Sequence, residues 1–400
     1  MTQVAYIYEA IRTPRARVRR DGGTLAGVPA FELFGGLLAE LLRRGVPADR
    51  VDDVIVGVST PAGEQAADLA RVAVLAAGWP DETPAGVVSR MCCSGLDAIA
   101  SGAAQVASGA AELVVAGGAE SMSRTPMFAD APAFASDPEL GDLTGFVTIG
   151  LAADFMAAKY GFSRSQLDAY AVRSHELSAA APAWPSIVPV RRGAETLLDR
   201  DEGARPDTTV ESLASLAPLF GGDPLWQRIE RRFAGEPWFA EIHRPDEGLH
   251  TVATAPQLSD AASAVLIGSE AAQEMLDQKP RGRVLGWAHA AVRSPGLWSG
   301  EAAARKALAM AGIGVGDLEV AEINESFSVT PLLMTRQLEL DERIVNARGG
   351  AVSVGHPLGA SGGILLANAL DRLDAAGGGY GLLVIPAALG LATAIVIEAF

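Results

Sequence analysis

The chain has 400 residues, of which 49% are hydrophobic, so it can bury a large core and should form two or three domain-sized units. Only 20% of the residues are charged, which argues against general disorder. The formal net charge of −16 argues against a general nucleic-acid binder, which needs a basic face, and against binding to anionic membranes. An acidic total still permits an anionic ligand, because a local arginine cluster can hold a phosphate.

Strand and helix patterns alternate in the first 120 residues. Runs rich in β-forming residues occupy residues 4–8, 51–58 and 112–118, and helical patterns occupy residues 31–44 and 66–77. This alternation predicts βαβ units and a mainly parallel sheet. Residues 1–14 mix acidic and basic side chains without a long apolar run, so we do not expect a signal peptide.

The chain has two cysteines, Cys92 and Cys93, in the stretch "SRMCCSGLDAIASG". Neighbouring cysteines rarely form a disulfide, and two thiols are too few for the usual zinc site, so we predict no metal. Cys92 should lie just before a helix that starts near Ser94, where backbone N–H groups and the helix dipole would lower its pKa and could hold an oxyanion. A cysteine in such a place can also be an inert core thiol.

The middle of the chain, residues 121–249, differs from both ends because it is rich in Pro, Arg and Asp. Residues 220–247 add Trp to this composition and suggest an insertion or a loop subdomain. A solvated surface excursion is favoured for this insertion over a binding lid.

The last third repeats the alternation. Helical patterns at residues 301–311 and 363–373 accompany strands at residues 318–323, 380–386 and 392–398, which loosely echo the first third and suggest an internal duplication. Residues 380–397 are apolar, but they are Gly/Ala-rich and contain Pro386, so they are typical of buried strands and not of a membrane span.

A glycine-rich turn, "GGAVSVGHPLGASGG", contains His356 followed by Pro357. Such a turn can hold an imidazole rigidly, as a base that activates a thiol requires. A core histidine or a phosphate-binding glycine loop would give a similar pattern. No lysine follows the glycines, so a nucleoside-triphosphate loop is a poor interpretation.

Several stretches, in this order, resemble motifs of the thiolase family: "IRTP", "GGTLAG", "SRMCCSGLDAI", "GGAESMSRTP", "AYAVRSHELS", "AEINESFS" and "NARGGAVSVGHPLGASGG". The resemblance implies an α/β fold in which two similar halves form a five-layered αβαβα core with an inserted loop domain. It places the N-terminal half at residues 1–120, with residues 249–270 returning to it. The loop domain would be residues 121–248, with its insertion at 220–247, and the C-terminal half residues 271–400.

The resemblance also implies roles for individual residues. Cys92 would attack an acyl-CoA and carry the acyl group, and His356 would take the thiol proton and help to bind the thioester oxygen. Asn324, in "NESF", would hold a water of that oxyanion hole. Coenzyme A would be a substrate or product and no cofactor would be bound permanently. Cytoplasmic homodimers or homotetramers are expected, without nucleic-acid or membrane partners.

The chain departs from the family where a second cysteine usually acts as acid and base in carbon–carbon chemistry. An ungapped alignment of "YGLLVIPAALGLATAIVIE" places Pro386 there, and a two-residue shift would place Val384. Neither side chain exchanges protons. Ala388 and Gly390 fall in the following glycine motif, near the thioester, and Ala388 keeps an N–H for a second oxyanion hole. Cys93 should point away from the site, because successive residues at a helix start diverge by about 100°.

Two further positions complete the candidate binding site. Pro256 lies in the segment that normally covers pantetheine, and Arg228 in the insertion could reach a CoA phosphate, although a solvated arginine face is the stronger interpretation. Three functions stay open. The first is an acyltransferase or β-ketothiolase whose classical condensation is weak. The second is an enzyme that condenses by decarboxylation, or that transfers the acyl group to another acceptor or hydrolyses it. The third is a non-catalytic subunit that binds acyl-CoA.

Overall fold

The computed structural model describes residues 3–20 and 22–400; residues 1 and 2, where the predicted N-terminal half begins, lie outside the described residues. The strands are β1 (Tyr6–Arg12), β2 (Ala16–Arg17), β3 (Asp53–Gly57), β4 (Ala85–Val88), β5 (Leu113–Ser121), β6 (Val190–Arg192), β7 (Glu195–Leu198), β8 (Ser259–Gly268), β9 (Gly282–Ala291), β10 (Leu318–Ile323), β11 (Gly379–Ala387) and β12 (Leu391–Ala399). The helices are α1 (Ala30–Arg43), α2 (Leu69–Ala76), α3 (Ser94–Ser108), α4 (Ala133–Ser136), α5 (Pro138–Thr144), α6 (Ile149–Tyr160), α7 (Arg164–Ala180), α8 (Val210–Ala214), α9 (Trp226–Phe233), α10 (Ala272–Leu276), α11 (Gly300–Ala311), α12 (Val329–Leu338), α13 (Ala351–Val354) and α14 (Ser361–Ala376).

The two halves of the molecule repeat one strand topology. The first half has the order β4-β3-β5-β8-β1 and the second the order β10-β11-β12-β9. β3 runs parallel to β5 while β8 runs antiparallel to β5 and β1; β10, β11, β12 and β9 show the same pattern. The halves meet where Tyr6 and Ile7 of β1 pair with Arg283 and Gly282 of β9. The predicted pair of similar halves is therefore confirmed.

Helices and sheets alternate in five layers. One apolar core packs α1 and α2 on the outer face of the first sheet, and another packs α11 and α12 on the outer face of the second. Between the sheets, α3 and α14 share a third core with side chains from both. The small residues of α3, which are mostly Ala, Gly and Ser, allow this middle layer to pack closely.

The segment between β5 and β8 covers the core and is held to it by buried charges. Arg12, at the end of β1, is fully buried and binds Asp201 through two hydrogen bonds of 2.8 and 3.0 Å. Arg15 adds two more, from its backbone N–H at 2.8 Å and from Nη2 at 2.7 Å. The paired arginines lower the pKa of Asp201 although burial opposes this, so the carboxylate stays ionised. The predicted domain boundaries remain a proposal, which the position of β8 between β5 and β1 supports.

The insertion at 220–247 is not the solvated excursion that its composition predicted. Trp226, Ile229 and Phe233 on one face of α9 are buried, and the rings of Trp226 and Phe233 lie 5.9 and 5.2 Å from Phe155 of α6. The ammonium of Lys159 lies 3.0 Å from the ring centroid of Trp238. The prediction from composition failed because polar residues outnumber the three buried apolar residues in the sequence of α9.

One stretch, Pro138–Tyr160, is long and apolar enough to cross a membrane by composition, but 67% of its apolar window is buried inside the protein. It consists of α5 and α6. We read it as core helices of the covering segment.

Candidate active site

A contact between glycines brings the cysteine loop and the histidine loop together. Each loop immediately precedes one of the two equivalent central helices, α3 and α14. A Cβ built on Gly95 would lie 2.5 Å from the carbonyl oxygen of Gly359 and 3.1 Å from the backbone nitrogen of Gly362. Only glycine permits this approach, because no side chain separates the two backbones.

Glu120, at the end of β5, joins the histidine loop to the loop that follows β3. One of its carboxylate oxygens accepts N–H groups of Ser59 and Gly359, both at 2.9 Å. The other accepts the N–H of Thr60 at 3.2 Å and the side-chain amide of Gln65 at 2.7 Å. Burial raises the pKa of Glu120, although these donors oppose the rise. The sequence signal was a glutamate in "GGAESMS", and sequence reasoning gave it no role.

Cys92 lies in a tight turn between β4 and α3 and is 6% exposed. The Ser94 hydroxyl closes this turn by accepting the N–H of Arg90 at 2.9 Å and donating to the carbonyl of Met91 at 2.6 Å. The backbone N–H groups of Cys92 and Ala388 face the sulfur. Burial nevertheless raises the pKa of Cys92 to about 12, with further increases from Cys93 and Glu120. The predicted lowering of this pKa is therefore wrong, since desolvation outweighs the two backbone N–H groups, and Cys92 rests as a thiol.

His356 is held by its backbone and by both ring nitrogens. Its backbone N–H donates to Gln257 O at 2.8 Å, Nδ1 lies 2.7 Å from Ser361 Oγ, and Nε2 lies 3.3 Å from Asn324 Nδ2. An amide donor at Nε2 requires the tautomer that carries its proton on Nδ1 and donates it to Ser361. Burial lowers the pKa of His356 to about 3, with a smaller contribution from Arg15, so the ring is neutral. Sequence reasoning missed Ser361, although it stands five residues after the histidine in the same motif.

Asn324 follows β10 and belongs to a hydrogen-bonded chain. Its Nδ2 donates to Ser326 Oγ at 2.9 Å, and Ser326 Oγ donates to the carbonyl of Pro386 at 3.0 Å. Sequence reasoning missed Ser326, although the third residue of "NESF" is alanine in the family motif. The hydroxyl therefore binds the residue that the ungapped alignment places at the position of the missing cysteine.

Cys92 and His356 line one cavity of about 320 Å³. Five phenylalanines from distant segments form much of its wall: Phe128, Phe134, Phe146, Phe220 and Phe327. Local sequence patterns could not place these rings together, because loops of the covering segment carry most of them. The site thus combines a thiol, a neutral imidazole and convergent N–H groups in an apolar enclosure, which suits acyl transfer to sulfur.

Of the other predicted site residues, some line the cavity and some do not. Ala388 and Pro256 line the cavity, and so does Ser326. Gly390 does not line it; a Cβ there would strike the carbonyl of Val292, and its φ of 80° serves the turn between β11 and β12. Arg228 does not line it either.

The guanidinium of Arg228 is occupied elsewhere. Its Nε donates to Asp142 at 2.6 Å and its Nη1 donates to the carbonyl of Phe146 at 2.5 Å. Arg231 also binds Asp142. Arg228 therefore links α9 to α5. Its predicted contact with a CoA phosphate finds no support in this arrangement.

Cys93 points away from the cavity. Its sulfur donates to the carbonyl of Ile385 at 3.1 Å, and burial raises its pKa to about 12. Cys92 is therefore the thiol that faces the site.

Among residues 3–20 and 22–400, no group of three or more His, Cys, Asp or Glu side chains could hold a metal ion.

Comparisons with known proteins agree along the chain. Residues 5–223 match the family model "Thiolase, N-terminal domain", and residues 278–399 match "Thiolase, C-terminal domain". The chain is 36% identical over 428 residues to a beta-ketoadipyl-CoA thiolase of Pseudomonas knackmussii, with 100% of both chains covered. It is 34% identical to an acetyl-CoA acetyltransferase of Shinella zoogloeoides, covering 97% of this chain and 98% of that protein. The crystal structure of the Bacillus anthracis acetyl-CoA acetyltransferase matches with a TM-score of 0.85 at 29% identity, covering 100% of this chain and 99% of that one. With its repeated halves, its Cys-and-His cavity and these matches, the chain belongs to the thiolase family of acyltransferases.

Proposed function

We propose that this protein transfers acyl groups from acyl-CoA or 3-ketoacyl-CoA thioesters through an acyl-Cys92 intermediate. One observation carries the proposal: Cys92 and neutral His356 line the same cavity, and the N–H groups of Cys92 and Ala388 face the sulfur. Coenzyme A is then a substrate or product, not a resident cofactor. Homodimers or homotetramers in the cytoplasm remain part of the proposal.

Acylation follows from this geometry. As the Cys92 sulfur bonds to the thioester carbon, His356 Nε2 accepts the thiol proton; when the carbon–sulfur bond to CoA breaks, the imidazolium returns that proton and CoA leaves as a thiol. Asn324, with a water that it holds, and His356 would stabilise the first oxyanion. The N–H groups of Cys92 and Ala388 would bind the carbonyl oxygen of the acyl-enzyme. Because Cys92 rests as a thiol, a base must act at the moment of attack.

Making or breaking a carbon–carbon bond also requires a group that moves a proton to or from carbon, and few side chains in the cavity can do this. The titratable side chains that line the cavity are Cys92, His356 and the exposed Asp130. Pro386, which the ungapped alignment places at the family's acid/base cysteine, offers only a carbonyl, and the Ser326 hydroxyl already donates to it. We therefore propose that classical thiolysis and Claisen condensation are slow, since a general acid or base is worth about 10²- to 10⁴-fold.

The shortage of acid and base groups in the cavity favours a second candidate function, decarboxylative condensation. A malonyl-type thioester loses CO₂ to give the carbanion directly, and that carbanion attacks the acyl-Cys92 carbonyl and expels the thiolate. No base is needed to remove a C–H proton on this route. Transfer to another acceptor or to water would use the same acyl-enzyme.

The test is intact-protein mass after brief incubation with acetyl-CoA, with a 3-ketoacyl-CoA plus free CoA, and with malonyl-CoA. Cys92→Ala should abolish the adduct, whereas Cys93→Ala, the matched control, should retain it because Cys93 faces β11. An adduct with rapid release of acetyl-CoA from the 3-ketoacyl substrate would support a thiolase and contradict the slow second step. An adduct that turns over only with malonyl-CoA would favour the decarboxylating enzyme. No adduct from any donor would refute the acyl-enzyme and favour a non-catalytic acyl-CoA-binding subunit.

A further inference from the structure

Most of the side chains that line the cavity between its opening and the nucleophile are apolar. Met127 and Phe128, which are 39% and 46% exposed, stand at the opening, while Cys92 lies at the buried end. Phe146 bridges Phe128 and Phe134, with ring centroids 5.8 and 4.9 Å away. On another side, the rings of Phe220 and Phe327 lie 6.0 Å apart. The acyl chain of a bound acyl-CoA would meet Cys92 at the buried end and would share with the pantetheine arm a cavity whose wall is rich in aromatic side chains.

Among residues 3–20 and 22–400, neither arginine nor lysine lines the cavity, so none of these residues offers a cation to a negatively charged substrate tail. His356 is neutral because burial lowers its pKa to about 3. Arg15, whose charge reaches His356, is already bound to Asp201 at 2.7 Å and does not line the cavity. The one charged side chain in the wall, Asp130, is acidic and would repel a carboxylate.

The polar groups of the wall are mostly engaged. The backbone N–H groups of Ser59 and Thr60 bind Glu120, and the amide of Gln257 donates to the carbonyl of Ser353 at 2.8 Å. A carboxylate that persists here would lose its water without gaining a charged partner, and such burial is strongly unfavourable. Only a carboxylate that leaves as CO₂, as in the decarboxylating route, would escape this cost. An alkyl or aryl chain would instead exchange water for aromatic contacts.

We infer that the enzyme takes acyl-CoA donors whose acyl group is apolar, aliphatic or aromatic, and discriminates against acyl groups that end in a carboxylate. This sets it apart from relatives that are named for β-ketoadipyl-CoA, a thioester of a dicarboxylic acid. The inference rests on the proposed acyl-Cys92 chemistry, because it assumes that the acyl chain shares the cavity with the nucleophile.

Hexanoyl-CoA and adipyl-CoA form a matched pair of probes, because both have six carbons and differ in a terminal methyl or carboxylate. The initial rate of the Cys92 adduct, measured by intact-protein mass at subsaturating donor, should be at least about 100-fold higher for hexanoyl-CoA. Equal rates, or a faster reaction with adipyl-CoA, would overturn the inference.

A binding measurement separates this inference from the proposed chemistry. Cys92→Ala cannot be acylated, so calorimetric titration of this variant with the same two thioesters reports recognition alone. Tighter binding of hexanoyl-CoA would support the apolar acyl pocket even if no donor acylates the wild-type protein. Equal or weaker binding of hexanoyl-CoA would refute it.

A charge introduced into the wall should reverse part of the preference. Phe134 is half-buried in the short helix α4, so Phe134→Arg can place a guanidinium at the cavity without burying it fully. We expect the rate with adipyl-CoA relative to hexanoyl-CoA to rise roughly fivefold, the upper value for a partly exposed ion pair. Phe134→Gln, the uncharged control, should lower both rates without this reversal. The same change in both variants would show that charge in the wall does not set the specificity.

Discussion

Substituting alanine at the glycine contact should slow acylation without unfolding the protein. In Gly95→Ala the new Cβ would begin 2.5 Å from the carbonyl oxygen of Gly359, whereas ordinary contact begins at 3.4 Å. The cysteine and histidine loops would therefore separate by about 0.9 Å. A misplacement of about 1 Å costs about 10²-fold in rate, so we expect acylation of Cys92 by acetyl-CoA to fall about 100-fold. Overpacking of this kind costs about 1–3 kcal/mol of stability, which a domain of this size can tolerate.

The assay is the rate of adduct formation by intact-protein mass, with thermal unfolding measured in parallel. Gly36→Ala is the matched control, because a Cβ at this exposed position of α1 meets nothing within 4 Å. That control should keep the wild-type rate and gain about 0.5–1 kcal/mol, since alanine favours a helix interior. A folded Gly95→Ala protein that acylates within about twofold of wild type would show that the glycine contact does not set the geometry of the pair.

Three further predictions follow from buried groups. The acylation rate of Cys92 should stay nearly constant between about pH 5.5 and 8.5, because its raised pKa and the lowered pKa of His356 lie outside this range; a tenfold rise per pH unit, as for a free thiol of pKa about 8.5, would contradict the buried neutral pair. Arg12→Ala should lower the free energy of unfolding by about 3–5 kcal/mol in urea titrations, because it leaves Asp201 a buried carboxylate with one arginine fewer, and a loss below about 1 kcal/mol would show that water reaches the site. Pro386→Cys should raise 3-ketoacyl-CoA thiolysis about 100-fold while leaving the rate of acylation by acetyl-CoA unchanged, because only the first reaction protonates carbon; if steady-state thiolysis does not change, another group already supplies the proton transfer.

Much of the framework could be predicted from the sequence, because the long elements are strongly patterned. The predicted strand at 318–323 matches β10, and the helix predicted at 31–44 matches α1 within one residue. Cys92 and His356 could be paired because several motifs occur in the family's order, which no single motif would justify. Such patterns carry information about elements that each bury a continuous face.

Quantities that depend on tertiary packing could not be predicted in this way. The pKa of Cys92 was expected to fall from its place before a helix, yet burial in the folded protein raises it. The apolar character of the cavity depends on rings from separate loops, such as Phe134 and Phe220, which have no common sequence pattern. Ser326, in contrast, is visible in the sequence as a serine where the family motif has alanine. Its role became apparent only from the hydrogen bond that its hydroxyl donates to the Pro386 carbonyl.

The repeated topology has a consequence for how this site is built. Cys92 and His356 occupy corresponding places, each in the loop before the central helix of its half. The same position in the fold therefore carries a nucleophile in one half and a base in the other, and the glycine backbone contact holds these two unlike groups together.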